Sequence, residues 1–365
     1  MDSTDPGISF NSEGVCNHCL NYQDKILPHW KKLKNSSGIL YEFLAKLKSS
    51  NSKYDCLIGL SGGLDSSYSA YYAKSILGLN PLLFHVDTGW NTNHATDNIR
   101  LIANGLNLDL YTEVINWDSM SDMQLAFLKS QISDQDLPQD AAIFSSLYKF
   151  AIANNIKLVI TGSNYSTESC REPEEWGGYL GLDKRLFKSI HSKYGNEPFE
   201  DFPIIDIFVY KFWYKFFHGM KIMSPLNYIN FSKKEAEKLL NEKFGWMPFK
   251  HKHHESRFTR FYEDFWLLKK FGFDKRKAHL SSLIMTKQLQ RSEALERIKK
   301  PEMSEIEIKN EFSFVASKLG ISINELENLL NGKNKTFRNY PNKRNLIKFF
   351  ANIAIALGIE KRYLK

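Results

Sequence analysis

Three groups of residues in this chain have types and spacings suited to chemistry. The first is Ser61-Gly62-Gly63-Leu64-Asp65-Ser66-Ser67, which follows the apolar run 54–60. Apolar residues ending in a glycine pair mark a strand-to-turn junction, and the hydroxyl and acidic residues that follow are helix-starting types. Such a junction presents backbone N–H groups at a helix N-terminus, where anionic oxygens bind well. Gly62 and Gly63 let the backbone approach a phosphate with no Cβ in the way, and Ser61, Ser66 and Ser67 can donate hydroxyl hydrogen bonds. Asp65 would repel bare phosphate, so it fits here only with a Mg²⁺ bridging it to the phosphate oxygens. A glycine turn with a capping Asp or Ser is the plain alternative, and the position after a first strand argues against it.

The second group is the polar cluster His253-His254-Glu255-Ser256-Arg257, set among aromatic residues and followed by Asp274-Lys275-Arg276. Its plain alternative is a helix start with solvated His and Arg. The third is Cys16-x-x-Cys19, which has zinc-ligand spacing but supplies only two of the four ligands a zinc site needs. Cys56 and Cys170 are the only other cysteines; Cys170 or a histidine such as His18 could complete a site. Zinc and a bare thiol pair both remain open on this pattern.

The elements that must position these groups alternate. Segments 54–60, 81–87, 109–115 and 157–163 read as strands, separated by helical stretches. In 93–107 the residues Ile99, Ile102, Ala103 and Leu106 share one helical face. Pro138 is placed to open another helix. The βαβαβαβ order predicts an α/β fold, a parallel sheet covered by helices on both faces. Ligands in such sheets bind at the carboxyl ends of the strands, where Ser61, Asp87 and Ser163 fall. Beyond residue 164 the pattern is mostly helical: Ser232 and Glu235 form a capping-box pattern, and an amphipathic helix is predicted from Asp274 to Leu289. The aromatic stretch 201–217 reads as core or subunit interface rather than as a membrane-docking surface.

Four regions follow: 1–50, with the cysteine pair and a helix at 37–50; 51–230, the α/β domain; 231–301, a helical acceptor-binding region; and 302–365, a helical extension. Within the last, KLGISINELENLL is expected to be a packing hairpin rather than a DNA-binding helix-turn-helix, because its second helix is not basic. The apolar run 346–359 is 14 residues long, too short to span a bilayer, and reads as a packed helix. The opening residues lack the charged and apolar regions of an export signal, and four cysteines in 365 residues suit a reducing, cytoplasmic setting. A net charge of +8 favours anionic partners without choosing among them.

Neither GxxxxGK[ST] nor GxGxxG is present. SGGLDSS instead resembles the pyrophosphate-binding loop of the N-type ATP pyrophosphatases (PP-loop enzymes), which implies an adenine-nucleotide alpha-hydrolase-like (HUP, Rossmann-like) sheet, with ATP and Mg²⁺ as cofactors. In that superfamily Asp87 and Thr161-Gly162 lie at the strand ends that contact nucleotide, and Asp65 holds the metal. GVCNHCLNYQD (14–24), DQDLPQDAAIFSSLYKFA (134–151), TGSNYSTES (161–169) with Trp176, and above all the stretch 252–284 resemble the N-acetyl sugar amidotransferases of bacterial surface-polysaccharide and O-antigen pathways, over roughly residues 8–300. The resemblance implies that ATP adenylates the carbonyl oxygen of an N-acetyl group on a nucleotide-linked sugar such as a UDP-sugar, and that ammonia displaces AMP to leave an acetamidino group. His253, His254, Glu255, Ser256, Arg257, Lys275 and Arg276 would then bind the sugar nucleotide, with Asp65, Glu255 and Arg257 closest to catalysis. Glutamine hydrolysis needs a Cys nucleophile with a His base. No such pair is legible, so ammonia is expected from a separate glutaminase like that of the histidine pathway, with its cyclase-like channel partner.

Two other classes fit parts of the pattern. A tRNA thiolase uses the same loop, but the further reactive cysteines it needs are missing, which speaks against nucleic acid as partner. A non-catalytic nucleotide-binding module would need only the loop.

Overall fold

The computed structural model describes residues 1–36, 38, 44, 53–176, 181–250 and 252–357. Five parallel strands form one sheet: β1 (Cys56–Gly59), β2 (Pro81–Asp87), β3 (Leu110–Val114), β4 (Leu158–Ile160) and β5 (Lys221–Met223). Their spatial order is β3-β2-β1-β4-β5, so the winding reverses between β1 and β4. That reversal opens a crevice at the carboxyl ends of those two strands. The fourfold strand pattern read from the sequence is present, with β5 as an addition: Lys-Ile-Met is too short and too mixed to announce itself as a strand, and pairing with β4 makes it one.

Alternation along β1 explains the two covered faces. Leu57 joins Leu82, Phe84, Val86 and Val159 against α3 (Trp117–Ser130), α4 (Leu137–Ala153) and the segment 182–210. Cys56 and Ile58 face the other way, packing with Leu83, Leu158 and Ile160 against α1 (Leu64–Tyr71), α2 (Asn93–Leu106) and Trp246. The expected face of α2 is buried, and Pro138 opens α4. The predicted helix 37–50 lies largely outside the described residues.

Beyond the sheet, α5 (Lys233–Phe244) starts at Ser232, whose side chain accepts from the Glu235 N–H. The helix Arg257–Phe261 runs through a π-helical turn, Tyr262–Trp266, into Leu267–Phe271. The helix expected at 274–289 is shorter, α6 (Arg276–Met285). α7 (Glu305–Lys318) and α8 (Ile323–Asn331) form the packing hairpin, and Phe312, Val315, Leu319 and Leu326 share a core with Trp90, Phe258, Phe261 and Trp266. This core runs across the boundary drawn at 301/302. The last described helix, α9 (Arg344–Ala356), corrects its reading as a packed element: Ala351 is buried, but Phe349 and Ile353 are exposed. The aromatic stretch divides likewise, with Ile205 and Tyr210 in the core and Phe212, Trp213, Phe216 and Phe217 exposed. No described helix is long and apolar enough to cross a membrane.

Candidate active site

A cavity of about 910 Å³ opens at the carboxyl ends of β1, β2 and β4 and extends into the segments 134–140 and 252–280. Its first end is the glycine loop. Gly62 has φ +85, and a Cβ there would lie 2.5 Å from the Ala95 carbonyl oxygen, so only glycine lets α2 come this close. The Gly62 carbonyl accepts from Trp246 Nε1 at 2.9 Å and from Asn98 Nδ2 at 3.2 Å, which locks the turn from two sides. Gly63 is the N-cap of α1 and offers no side-chain cap, leaving the first backbone N–H groups of the helix for a ligand. Ser61 and Ser66 hydroxyls lie 3.1 Å apart across the loop and line the cavity.

Asp65 stands on the first turn of α1. Lys252 Nζ lies 3.6 Å from its carboxylate and 2.5 Å from Glu168. Burial raises the Asp65 pKa, against the pull of Lys252. Burial opposes the Lys252 charge too, but Glu168 and Asp65 hold its pKa above the usual range. Two carboxylates thus converge on one positive charge, an arrangement a divalent ion could also use. Neither Lys252 nor its bridging role was singled out from the sequence; a lysine ahead of two histidines carries no signal until the fold brings it to residue 65.

The segment 255–257 pairs with the residues after β2. Thr92 N–H donates to the Glu255 carbonyl at 2.9 Å and Arg257 N–H to that of Trp90 at 2.8 Å. The pairing sets the Glu255 carboxylate directly over Gly63, so that a Cβ there would fall on it. Burial raises the Glu255 pKa. Ser256 Oγ donates to Gln139 Oε1 at 2.9 Å, and Thr88 Oγ1 donates to the same oxygen at 3.2 Å. His253 lines the cavity in a left-handed conformation, φ +64, with its ring 5.6 Å from that of His279. Burial and then Lys252 lower both histidines, His279 to about 3, so both are neutral near pH 7.

The other residues singled out from the sequence divide between the cavity and its surroundings. Ser67 is fully buried, its hydroxyl without a hydrogen-bond partner, because it points from α1 into the protein rather than along the loop. Asp87 accepts from the Gly89 N–H at 2.8 Å and shapes the turn, while Val86 and Thr88 face the cavity. Thr161 lines the cavity, with its hydroxyl 3.1 Å from that of Ser224; Gly162 lets β4 approach α1, since a Cβ there would be 2.8 Å from the Asp65 backbone. His254 does not line the cavity itself but lies 3.0 Å from Asp264, which does. Arg257 also turns away: its Nε donates to Glu311 at 2.8 Å and its guanidinium stacks 3.4 Å above the Phe314 ring.

At the far end, Lys275 is buried between Glu172 (3.1 Å) and Glu263 (3.3 Å). Arg276 is held by Asp274 and Glu302. Asp134, Asp136 and Asp140 line the same end. Burial raises Asp136 to about 7, Asp140 to about 6 and Glu263 to about 8. The three aspartates within seven residues were a visible acidic signal; their convergence with Glu172 and Glu263 was not.

Neither cysteine of the pair lines this cavity. Cys16 caps a short helix, its sulfur accepting from the Cys19 N–H at 3.4 Å, and His18 is bound to Asp5 at 2.6 Å. No group of three or more His, Cys, Asp or Glu side chains among the described residues is arranged to hold a metal ion. The expectation of zinc therefore gains no support: His18 is committed to Asp5, which leaves the pair without an assembled ligand set.

Residues 255–354 match the family model described as "LPS biosynthesis protein WbpG-like, C-terminal domain". The matched stretch contributes Glu255, Ser256, Glu263, Lys275 and His279 to the cavity. An uncharacterized protein of Methanocaldococcus jannaschii is 30% identical over 103 residues, 28% of this chain and 36% of that protein. The chain thus spans about a third of the length of that relative. Among solved structures, the NH3-dependent NAD synthetase of Campylobacter jejuni is 21% identical, with 76% of this chain and 98% of that one covered and a TM-score of 0.32. The NMN synthetase of Francisella tularensis is 18% identical, with 59% and 87% covered and a TM-score of 0.27.

Proposed function

We propose that the chain is an ATP-dependent amidotransferase acting on an N-acetyl group of a nucleotide-linked sugar in lipopolysaccharide biosynthesis. The observation that carries this reading is the continuity of the cavity. One end is an uncapped helix N-terminus behind a glycine loop, and the other joins Asp134, Asp136, Asp140 and Glu172 to Glu263 and Lys275 of the stretch that matches the WbpG-like model. Phosphates would lie on the N–H groups of α1, with Ser61, Ser66, Lys250 and Lys252 around them. Asp65 and Glu168 fit a Mg²⁺, because their carboxylates already face a common positive charge; the ion would neutralise phosphate charge. Glu255, over the loop, would orient the acceptor amide where it meets the nucleotide.

The carbonyl oxygen of the acetamido group attacks the α-phosphorus of ATP, and pyrophosphate leaves. Ammonia then forms a C–N bond as the C–O bond to AMP breaks. Positioning and charge neutralisation supply most of such catalysis. Ammonia from a separate glutaminase fits this scheme. The test is incubation of the full chain with ATP, Mg²⁺, ¹⁵N-ammonium chloride and a panel of UDP-N-acetyl sugars. An amidine carrying ¹⁵N, formed with one AMP and one pyrophosphate, is the expected result. Pyrophosphate release indifferent to every acceptor would overturn the reading.

A further inference from the structure

The carboxylates at the far end of the cavity are not needed to bind phosphate; they would repel it. Asp134, Asp136 and Asp140 come from the α3–α4 junction and the first turn of α4, Glu172 from the stretch before residue 176, and Glu263 from the π-helical turn. These five carboxyl groups line one end of the cavity, and Lys275 is held between two of them. A π turn that projects one side chain into a site is a recurrent functional device. Asp134 is the telling member. It is 6% exposed, lines the cavity, and makes neither a hydrogen bond nor an ion pair among the described residues. Burial pushes its carboxyl well above the usual carboxylate range, against the pull of Lys275, so it carries a charge only when a cationic ligand completes it.

Lys275 shows what completes such a group. Its Nζ is an alkylammonium held by Glu172 and Glu263, with the Tyr262 ring 5.1 Å away. A free ammonium ion has the same charge and the same tetrahedral N–H donors. Asp136 also leads toward the loop: its Oδ1 accepts from Gln139 Nε2, and Gln139 in turn accepts from Ser256 beside Glu255.

We propose that Asp134, Asp136, Asp140 and Glu263 form an ammonium-receiving chamber that captures NH₄⁺ and deprotonates it beside the activated acceptor. The inference rests on the amidotransferase reading above. One N–H bond of ammonium breaks, and its proton passes to a carboxylate oxygen of the chamber. The freed lone pair forms the C–N bond to the imidate carbon, the C–O bond to AMP breaks, and AMP leaves with that electron pair. Carboxyls whose pKa lies near 7, as burial places Asp136 and Glu263, suit this proton transfer.

The direct test is titration of ¹⁵N-ammonium chloride into the full chain, followed by ¹⁵N line broadening at constant ionic strength. Saturable binding is expected, weakened about tenfold or more in Asp134→Asn, the loss of one charge-assisted hydrogen bond. Glu263→Gln serves as a second variant should the first fail to fold. In turnover, Asp134→Asn should raise the ammonium concentration at half-maximal rate far more than that of the sugar nucleotide. Absence of saturable binding, or equal binding by wild type and both variants, overturns the chamber. A shift in sugar-nucleotide half-saturation alone also overturns it, by assigning the carboxylates to sugar hydroxyls. Ammonium binding by a chain that forms no amidine would leave the chamber standing and remove the amidotransferase reading.

Discussion

The two ends of the cavity are built in opposite ways. The loop end comes from one contiguous run, residues 61–66, at a strand-to-helix junction. The far end gathers Asp134, Glu172, Glu263, Lys275 and His279 from separate segments. The first carries its chemistry in local backbone geometry: a glycine turn and an uncapped helix start. The second carries it in burial, which lifts carboxyl pKa values and opposes the charge on Lys275, and in the ion pairs with Glu172 and Glu263 that hold that charge. A local device can be lost by one substitution, whereas a gathered one depends on the packing of four or more elements.

The largest expected effect is at the loop end. Asp65→Asn keeps the shape of the side chain and removes its charge, so pyrophosphate release should fall on the order of 10²–10³-fold while the fold survives. Near-normal release from a folded variant, judged by circular dichroism, would remove the metal role. Gly63→Ala should come next. The new Cβ must displace Glu255, and a shift of that kind costs about 1–3 kcal/mol, read as roughly a tenfold or larger loss in rate. If activity is unchanged, Glu255 is not held over the loop in the working enzyme.

Arg257→Lys separates site from scaffold. The guanidinium bridges to Glu311 and stacks on Phe314, so about 1 kcal/mol of stability should be lost, with ATP half-saturation unaltered. A large rise in ATP or sugar-nucleotide half-saturation would instead return Arg257 to the site.

The smallest effect is a pH slope from the chamber. Burial raises Asp136 from 3.8 to about 7 and Glu263 from 4.5 to about 8, while Lys275 opposes the shift and neighbouring Glu172 and Asp140 add to it. The folded chain then binds more protons than the unfolded chain between about pH 5 and pH 8. These groups favour folding most at low pH, and their contribution fades as pH rises through 7 and 8. Thermal melts should show Tm falling over that interval, less steeply in Glu263→Gln; equal slopes would mean that Glu263 titrates normally.

The two ends also differ in how far they were legible. Ser61, Gly62, Gly63, Asp65 and Ser66 were identified from spacing alone because a glycine turn before a helix has local determinants. Ser67 belonged to the same run but points inward, since one further residue on α1 rotates the side chain by about 100° around the helix. Asp87 caps its own turn instead of facing the cavity. Arg257 was read by residue type, yet its neighbour in space is Glu311 on α7, more than fifty residues away. Lys252 carries no signal in the sequence for the mirror-image reason, because its partners Asp65 and Glu168 lie on other elements.

What the sequence by itself determined is the α/β alternation, the parallel sheet and the glycine turn into a helix start after β1. Those follow from period-2 and period-3.6 patterning and from glycine stereochemistry, which act over a few residues. Tertiary structure alone decided β5, the placement of Glu255 over Gly63, and the meeting of the carboxylates around Lys275. Those depend on which surfaces are excluded from water together, and desolvation sets the charge of a buried group only once its neighbours have arrived.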